Sequence, residues 1–159
     1  METQRPQSHS LNLHRLPGFD YGDPDHAYFV TARARQGSPF TDHRLAGEVV
    51  ASLNWLRARR GLTLYAYCLM PDHLHLLLRV GDRLYPLAEI MRAFKSFTTH
   101  QSWKLGRRGA LWQARFYDHI VRKSEDGLRI AAYILDNPVR KGLVAEAESY
   151  AWSERPDPL

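Results

Sequence analysis

The chain has 159 residues, of which 44% are hydrophobic and 25% are charged, and its formal net charge is +5. This length suits one domain with its own core, and this composition is ordinary for a globular protein. No apolar run approaches the roughly 20 residues of a membrane-spanning helix. The first ten residues, METQRPQSHS, are polar and unlike a secretory signal. Since Cys68 is the single cysteine, we expect a cytoplasmic protein without disulfides and without a membrane partner.

Hydrophobic patterning predicts the first elements in chain order. Residues 1–13 are expected to form a flexible N-terminus, and residues 14–26, rich in turn formers, an ordered loop. A strand is predicted over 27–33, followed by a helix that begins after a cap at Asp42 and ends at Gly61. Two further strands are predicted over 62–69 and 73–80, joined by a tight turn at Pro71 and Asp72.

The second half of the chain predicts two more helices and one more strand. The pattern favours a helix over 85–104, a strand over 116–121 and a helix that starts at Ser124. Because proline disfavours helical backbone in the residue before it, the last helix is predicted to end at Asn137. Residues 144–159 are weakly patterned and are expected to form a C-terminal tail. This order predicts an α+β, ferredoxin-like fold: an antiparallel sheet with two helices on one face, and a C-terminal helix.

Two histidines interrupt the apolar third strand, which reads His73-Leu74-His75-Leu76-Leu77-Leu78. Since side chains alternate along a strand, the even-numbered leucines should face the two helices and both histidines the opposite side. Two imidazoles on one face lie within reach of one metal ion. The spacing alone is unspecific, and a single histidine on an apolar strand is usually a hydrogen-bonded core residue.

A third metal ligand and a nucleophile are suggested by the last helix. Tyr133 and Asn137 are four residues apart and therefore share a helix face. An amide oxygen from Asn137 would complete the metal site, and Tyr133 would lie one turn away as a covalent nucleophile. Taken alone, however, the pair also fits a core aromatic residue and an ordinary polar residue before proline. Tyr117, on the predicted fourth strand, is a second candidate nucleophile.

Basic and aromatic residues alternate over residues 92–123, a segment that contains one acidic residue, Asp118. Such a mixture suits a nucleic-acid backbone and its bases, but it equally suits a solvated face with core aromatic residues between the charges. Its members are Arg92, Phe94, Lys95, Phe97, Trp103, Lys104, Arg107, Arg108, Trp112, Arg115, Phe116, Tyr117, Arg122 and Lys123.

Several of these stretches together resemble the REP-associated tyrosine transposases, within the single-tyrosine HUH transposases of bacterial single-strand insertion sequences. His73-Leu74-His75 matches the HUH triplet, and Met70-Pro71-Asp72-His73 matches a family motif that has asparagine in place of aspartate. The remaining matches are residues 15–21 and 28–31, the block from Leu111 to His119, and the stretch from Tyr133 to Leu143. The resemblance covers residues 14–143, which we expect to be the catalytic domain.

The resemblance implies that His73, His75 and Asn137 bind Mg²⁺ or Mn²⁺ and that Tyr133 is the nucleophile. The implied activity is cleavage and strand transfer of single-stranded DNA at palindromic repeat (REP-like) hairpins, through a 5′-phosphotyrosine intermediate. A metal near the tyrosine, or less directly His119, would help the phenol lose its proton. The implied protein is bacterial and nucleoid-associated. The resemblance leaves its oligomeric state open, because insertion-sequence relatives exchange the tyrosine helix in a dimer, whereas the REP-associated branch implies the monomer that we favour.

Within this interpretation, the basic segment is expected to hold the DNA by its phosphates. The predicted contacts are Lys95, Arg107, Arg108, Arg115, Arg122 and Lys123. Two alternatives stay open: a metal-dependent nuclease that uses water, and a catalytically silent hairpin-binding protein. The sequence also leaves open whether the Asp72 carboxylate joins the metal site.

Overall fold

The computed structural model describes residues 26–81, 85–121 and 124–159, which form an antiparallel sheet of five strands and three long helices. The strands are β1 (Ala27–Arg33), β2 (Thr63–Met70), β3 (His73–Arg79), β4 (Tyr117–Val121) and β5 (Ser153–Glu154). The helices are α1 (His43–Arg60), α2 (Leu87–Lys104) and α3 (Ser124–Arg140). The strand order is β4-β1-β3-β2-β5. The predicted ferredoxin-like α+β fold is confirmed, with element bounds that differ from the predicted ones by a few residues.

Helices α1 and α2 cover one face of the sheet and enclose the main core. Their apolar stripes pack against the leucines of β3 that the alternation predicted to face them. The buried residues of this layer include Leu45, Val49, Leu53, Ile90, Met91, Phe94, Leu74, Leu76 and Leu78. The helices therefore seal this side of the sheet by hydrophobic burial.

The ends of α1 follow the predicted signals. The Asp42 carboxylate accepts a hydrogen bond of 3.0 Å from the backbone N–H of Arg44, and Gly61 adopts φ 63° as the helix ends. Gly81 lies against this corner, where an added Cβ would be 2.0 Å from the carbonyl oxygen of Gly61. A side chain at residue 81 would therefore force the two segments apart.

Helix α3 packs on the opposite face of the sheet, in the space that the ferredoxin-like arrangement leaves open. Ala131 and Ile134 of α3 are buried against Ala66, Cys68 and Leu77 of the central strands. The buried apolar cluster on this face has fewer members than the one on the other face, and the part of β3 that carries the histidines lies beside it. The buried Cys68 thiol is held inside this second layer, and burial raises its pKa to about 12.

The predicted end of α3 at Asn137 is wrong, because the helix continues through Pro138 to Arg140. The terminus is a Schellman motif, in which Leu143 N–H donates to the Pro138 carbonyl at 2.9 Å and Gly142 N–H to the Val139 carbonyl at 2.9 Å. Gly142 has φ 72°, a conformation that favours glycine. The helix end is therefore set by Gly142, and Asn137 lies inside the last turns.

The C-terminal tail adds the strand β5, which the sequence pattern did not predict. β5 pairs with β2, and the tail is further held by a hydrogen bond from the Tyr150 hydroxyl to the Leu69 carbonyl at 2.6 Å. Asp157 accepts a 2.8 Å hydrogen bond from the backbone N–H of Leu64 and pairs with Arg57. The tail thus covers the outer edge of β2 over part of its length.

The helices within the described ranges include none that is long and apolar enough to cross a membrane. Of the stretches that carry the family resemblance, residues 15–21 lie outside the described residues.

Candidate active site

The site is built around the hairpin between β2 and β3, whose turn consists of Pro71 and Asp72. β3 lies between β1 and β2, and it begins with the two histidines. His73 and His75 are each only 7% exposed, and their ring centroids are 4.6 Å apart. Both face away from the leucine layer, as the alternation predicted.

Each imidazole is held at its Nδ1 atom by a neighbouring side chain. His75 Nδ1 lies 2.8 Å from the hydroxyl oxygen of Thr31, which is its direct partner across β1. His73 Nδ1 donates to the Asp72 carboxylate at 2.6 Å. Such bonds fix the ring orientation and leave Nε2 as the nitrogen that is available to a ligand.

Burial keeps both imidazoles neutral. Burial, with smaller contributions from the neighbouring basic groups of His73, Arg33 and Arg140, lowers the pKa of His75 to about 3. Burial also lowers the pKa of His73, although the hydrogen bond to Asp72 opposes this effect. For Asp72, burial acts to raise the pKa, but the hydrogen bond from His73 and the electrostatic attraction of His73 and Arg33 together outweigh it, and the pKa falls. A neutral imidazole is the form that binds a metal ion.

Asn137 of α3 is the third group at this point. Its side chain is buried, and its Nδ2 lies 3.3 Å from Nε2 of His73. A half-turn of the carboxamide exchanges Nδ2 for Oδ1 and would place an oxygen donor beside the same nitrogen. α3 therefore brings an amide to the open side of the histidine pair.

These residues fit a divalent cation, with two imidazole nitrogens and one amide oxygen as donors. Within the described ranges, no group of three or more histidine, cysteine, aspartate or glutamate side chains is placed to hold a metal ion. A metal site here would therefore depend on Asn137 and leave positions for water or substrate. Asp72 contacts the Nδ1 side of His73, which makes its carboxylate an anchor of the imidazole in this geometry.

Tyr133 lies one turn before Asn137 on α3 and is 45% exposed. Its ring meets Phe29 edge-on with centroids 6.2 Å apart and lies 6.1 Å from the His75 ring. The Arg140 guanidinium carbon lies 4.1 Å from the Tyr133 ring centroid, and the same guanidinium donates to the Tyr133 carbonyl at 2.9 Å. Arg140 and Phe29 therefore hold the ring from two directions, while the side chain stays accessible.

One cavity of about 390 Å³ brings the predicted groups together. Its lining residues are Arg33, Ser38, Met70, Pro71, Asp72, His73, His75, Tyr133, Asn137, Lys141 and Leu143. The structure brings Tyr133 and Asn137 together with the histidine pair in the lining of this cavity. Arg33 and Lys141 are exposed and place two positive charges in the lining, which suits a phosphate group.

Sequence reasoning missed four residues of this site: Thr31, Arg33, Arg140 and Lys141. Thr31 and Arg33 are alternate residues of β1, so a strand pattern with two polar side chains on one face was available as a signal. Their pairing with His75 and His73 depends on the strand register. Arg140 and Lys141 lie beyond the predicted helix end, in the turn that Pro138 was expected to exclude.

Tyr117, the alternative nucleophile, lies on the same sheet face as His75. Both residues are direct partners of Thr31, one on each side of β1, and paired residues point to the same face. Tyr117 is half-buried and is absent from the described lining of the 390 Å³ cavity. The geometry therefore favours Tyr133.

The predicted DNA contacts differ in their surroundings in the structure. The Lys95 ammonium donates to the carbonyls of Gln113 and Arg115 at 2.8 and 3.0 Å, and burial lowers its pKa to about 8. Lys95 thus ties α2 to the loop of residues 107–116, a structural role that uses two of its three donors. Arg122 and Lys123 lie outside the described residues.

Arg107, Arg108 and Arg115 are exposed on the 107–116 loop, which runs beside the end of β1. Two backbone hydrogen bonds of 2.9 Å connect this loop to the end of β1 and the residues after it: Arg35 N–H donates to the Leu111 carbonyl, and Gln113 N–H donates to the Arg33 carbonyl. Because Arg33 also lines the cavity, the basic loop and the site adjoin. We call Arg33, Arg35, Arg107, Arg108 and Arg115 the basic rim.

The aromatic residues of the 92–123 segment divide between the two interpretations. Phe94 and Trp112 are buried, and the Trp112 indole donates to the Thr98 hydroxyl at 2.8 Å. Phe97 and Trp103 are about half exposed. The buried pair anchors the loop to α2, so only part of the aromatic content is accessible to a ligand.

Comparison with known proteins places these features in a family. A family model described as "Transposase IS200 like" matches residues 25–137. The chain is 30% identical over 98 residues to a candidate REP-associated tyrosine transposase of Haemophilus influenzae, covering 55% of this chain and 56% of that protein. It is 27% identical over 94 residues to a REP-associated tyrosine transposase of Escherichia coli K12, covering 59% and 54%. The chain thus spans about half the length of these curated relatives.

Solved structures agree in fold. A REP-associated tyrosine transposase bound to a REP hairpin superposes with a TM-score of 0.71 at 20% identity, over 88% of this chain and 81% of that one. A candidate transposase from Deinococcus radiodurans superposes with a TM-score of 0.51 at 19% identity, over 76% and 95%. With a family match over residues 25–137 and the histidine pair, Asn137 and a tyrosine in one cavity, the chain belongs to the IS200-like transposases.

Proposed function

We propose that this protein cleaves and rejoins single-stranded DNA beside palindromic, REP-like hairpins, with Tyr133 as a covalent nucleophile. One observation carries the proposal: Tyr133, His73, His75 and Asn137 come from two separate elements and line one cavity. Family membership and the similarity to a transposase that binds a REP hairpin support the choice of substrate.

His73, His75 and Asn137 are the residues that would hold a divalent cation, Mg²⁺ or Mn²⁺. When bound, such an ion polarises a non-bridging phosphate oxygen and neutralises charge that develops on the phosphate. Imidazole nitrogens are softer donors than the oxygens that Mg²⁺ prefers, so we expect Mn²⁺ to bind more tightly than Mg²⁺. Thr31 and Asp72 keep the two rings oriented.

In the proposed reaction the Tyr133 oxygen attacks phosphorus and forms a phosphotyrosine bond to the 5′ phosphate. The bond from phosphorus to the 3′ oxygen breaks. The phenol loses its proton, and the departing 3′ oxygen gains one and leaves as a 3′ hydroxyl. Attack by that hydroxyl, or by another 3′ hydroxyl, reverses the step and rejoins a strand. Because one phosphodiester is exchanged for another, no external energy source is needed.

Arg140 supports this role of Tyr133 through its position. Its guanidinium lies over the ring and donates to the Tyr133 carbonyl, so it holds the side chain at the edge of the cavity.

The basic rim is the surface we propose for the DNA backbone. Its arginines adjoin the cavity through the 107–116 loop, and arginine contacts phosphates without reading sequence. The expected partner is a DNA hairpin with a single-stranded segment at its foot, bound by one copy of the protein.

A covalent-adduct assay tests the proposal. The protein is incubated with a 5′- or 3′-labelled hairpin oligonucleotide carrying single-stranded flanks, in Mn²⁺, and then separated on a denaturing gel. We expect a labelled protein–DNA species with the label 3′ of the cut, and mass spectrometry should place the phosphotyrosine on the peptide that contains Tyr133. Cleavage without an adduct would identify a nuclease that uses water, and tight hairpin binding without cleavage would identify a silent binding protein.

A further inference from the structure

A second cavity, of about 520 Å³, shares Tyr133 with the catalytic cavity and has no role in the reaction described above. Its lining residues are Phe29, His119, Asp126, Arg129, Ile130 and Tyr133. None of the five other residues lines the cavity that holds the histidine pair. Tyr133 therefore stands at the junction of two differently lined spaces.

The fold explains why these side chains meet. Phe29 of β1 and His119 of β4 are direct cross-strand partners, so they point to the same face of the sheet. Asp126, Arg129, Ile130 and Tyr133 are spaced three, four and seven residues apart along α3, which places them along one side of the helix. Two strands form the floor and one helix forms the wall.

The chemistry of the lining suits a flat ring with polar edges. Phe29 and Ile130 are half-buried and offer an apolar surface, while His119 and Arg129 are exposed at its margin. Among the described residues, none forms a hydrogen bond or an ion pair with the side chains of His119, Asp126 or Arg129. An aromatic floor takes a base by stacking, and a guanidinium fork and a carboxylate supply a donor set and an acceptor for base edges.

From this arrangement we propose that the second cavity binds the nucleoside that directly adjoins the scissile phosphate, with its base stacked on Phe29 and His119. The proposal rests on the proposed function, because Tyr133 must reach phosphorus for an adjoining nucleoside to lie here. A strand whose phosphate sits between Tyr133 and the histidines has to place its neighbouring nucleosides on either side of that phosphate. The second cavity borders Tyr133 and shares no other lining residue with the histidine site, so it offers space for one of these nucleosides.

A cycle of protein and substrate changes tests the assignment. The double variant His119→Ala/Arg129→Ala and the wild type are compared in single-turnover adduct formation, on an intact hairpin oligonucleotide and on oligonucleotides with an abasic site immediately 5′ or 3′ of the cut. For the wild type, we expect one of the two abasic sites to slow the reaction about tenfold. The double variant should be about tenfold slower on intact DNA and should lose nothing further at that abasic site.

Arg59→Ala provides the matched control, because Arg59 is an exposed arginine on α1, across the sheet from this cavity. It should keep the wild-type rates on all three oligonucleotides. If the abasic sites slow the double variant as much as they slow the wild type, the base does not lie in this cavity. Equal wild-type rates on intact and abasic DNA would overturn the proposal in the same way.

A binding measurement separates this inference from the cleavage mechanism. A 2-aminopurine base placed beside the cut should lose about half or more of its fluorescence when it stacks in the cavity of Tyr133→Phe protein. The loss should disappear when His119→Ala and Arg129→Ala are added. If wild-type protein forms no adduct but this quenching pattern holds, the phosphotyrosine mechanism is wrong and the nucleoside site is supported. If the quenching is unchanged in the triple variant, the nucleoside site alone is wrong.

Discussion

The two faces of β3 are buried to nearly the same extent but differ in their side chains: one face has leucines alone, and the other has two histidines before Leu77. Leu74, Leu76 and Leu78 are at most 1% exposed and belong to the apolar core under α1 and α2. His73 and His75 are 7% exposed, yet each has a polar partner at Nδ1. Burial of a polar ring is tolerated where its hydrogen bonds are satisfied.

The comparison indicates how one strand serves both the fold and the site. On the leucine face the neighbours are complete, so the contribution is hydrophobic burial. On the histidine face the two imidazoles line a cavity that a tyrosine and an amide from α3 also line. Changes on the first face should therefore lower stability, and changes on the second should lower chemistry at little cost to the fold.

The largest expected effect is on the histidine face, at the proposed nucleophile. Tyr133→Phe removes one hydroxyl from a half-exposed side chain, so the protein should fold and bind hairpin DNA as the wild type does. Adduct formation should fall by several orders of magnitude, because the hydroxyl that attacks phosphorus in the proposed reaction is gone. The gel assay measures both adduct and cleavage, and gel-shift titration measures binding.

Tyr117→Phe is the matched control, since Tyr117 lies on the same sheet face but does not line the catalytic cavity. It should retain most of the adduct-forming rate. An adduct that persists in Tyr133→Phe and disappears in Tyr117→Phe would exchange the two assignments.

The next effect compares neighbouring residues on the two faces directly. Leu76→Ala should lower the free energy of unfolding by about 2–5 kcal/mol, because it leaves a cavity in a sealed core. Its adduct rate per folded molecule should stay near that of the wild type. Urea denaturation gives the stability, and the adduct assay is run well below the denaturation midpoint.

His75→Asn is the counterpart on the other face. An asparagine amide reaches the position of Nδ1 and retains a partner for the Thr31 hydroxyl, but it places nothing at the position of Nε2. Mn²⁺ binding, followed by calorimetry, and adduct formation should both be lost, while the protein stays folded. A His75→Asn protein with wild-type Mn²⁺ affinity would exclude His75 as a ligand.

A smaller effect is expected at the basic rim, outside both faces. Replacing Arg107, Arg108 and Arg115 together by glutamine should weaken hairpin binding at every sequence tested. The slope of log Kd against log salt should fall by about 2–3 units, close to one per lost phosphate contact. Arg92→Gln, on α2 and paired with Glu89, is the control and should leave the slope unchanged; an unaltered slope in the triple variant would exclude the rim.

The buried imidazole should also make the fold sensitive to mild acid. The pKa of His75 is about 3 in the folded protein and about 6.5 when unfolded, so between these values the unfolded chain binds the extra proton. Stability therefore falls as pH drops below 6.5. From pH 7.5 to 5.0, without metal, the loss from this group is about 2 kcal/mol.

Urea denaturation in EDTA at these two pH values measures the effect. The window lies above the range in which the carboxylates titrate, so the histidines dominate it. Between pH 7.5 and 5.0, the free energy of unfolding of His75→Asn should fall by less than that of the wild type, and the difference should be most of this roughly 2 kcal/mol. Identical profiles for the two proteins would mean that His75 is solvated or charged in the folded state.

Much of this fold could be predicted because its local signals agree with one another. The alternation in β3 and the cap and stop of α1 at Asp42 and Gly61 each indicate one structure. The histidine spacing and the four-residue separation of Tyr133 and Asn137 then place the main candidates on two faces that meet. These are short-range patterns, which a sequence displays directly.

The parts that could not be predicted depend on distant partners or on competing signals. Thr31 is 44 positions from His75, and only the register of β1 against β3 brings them together. β5 is two polar residues long and has no pattern of its own. At the end of α3, Pro138 favours an early helix end and Gly142 a later one. The helix continues to the later end because the Schellman hydrogen bonds at Gly142 satisfy the last carbonyls.

The smallest predicted effect concerns the residue by which this chain departs from the familiar motif. The Asp72 carboxylate accepts from His73 Nδ1, and its negative charge makes Nε2 a stronger donor to a cation. Asp72→Asn keeps an acceptor oxygen but removes the charge, so Mn²⁺ affinity should fall about tenfold, with the hairpin affinity unchanged. Asp72→Ala removes the anchor as well and should lose more. Calorimetric titration of both variants with Mn²⁺ decides between two roles: a graded loss from Asn to Ala supports an anchor, whereas complete loss of binding in Asp72→Asn would make the carboxylate itself a metal ligand. Unchanged affinity in both variants would show that the Asp72–His73 bond has no influence on the metal site.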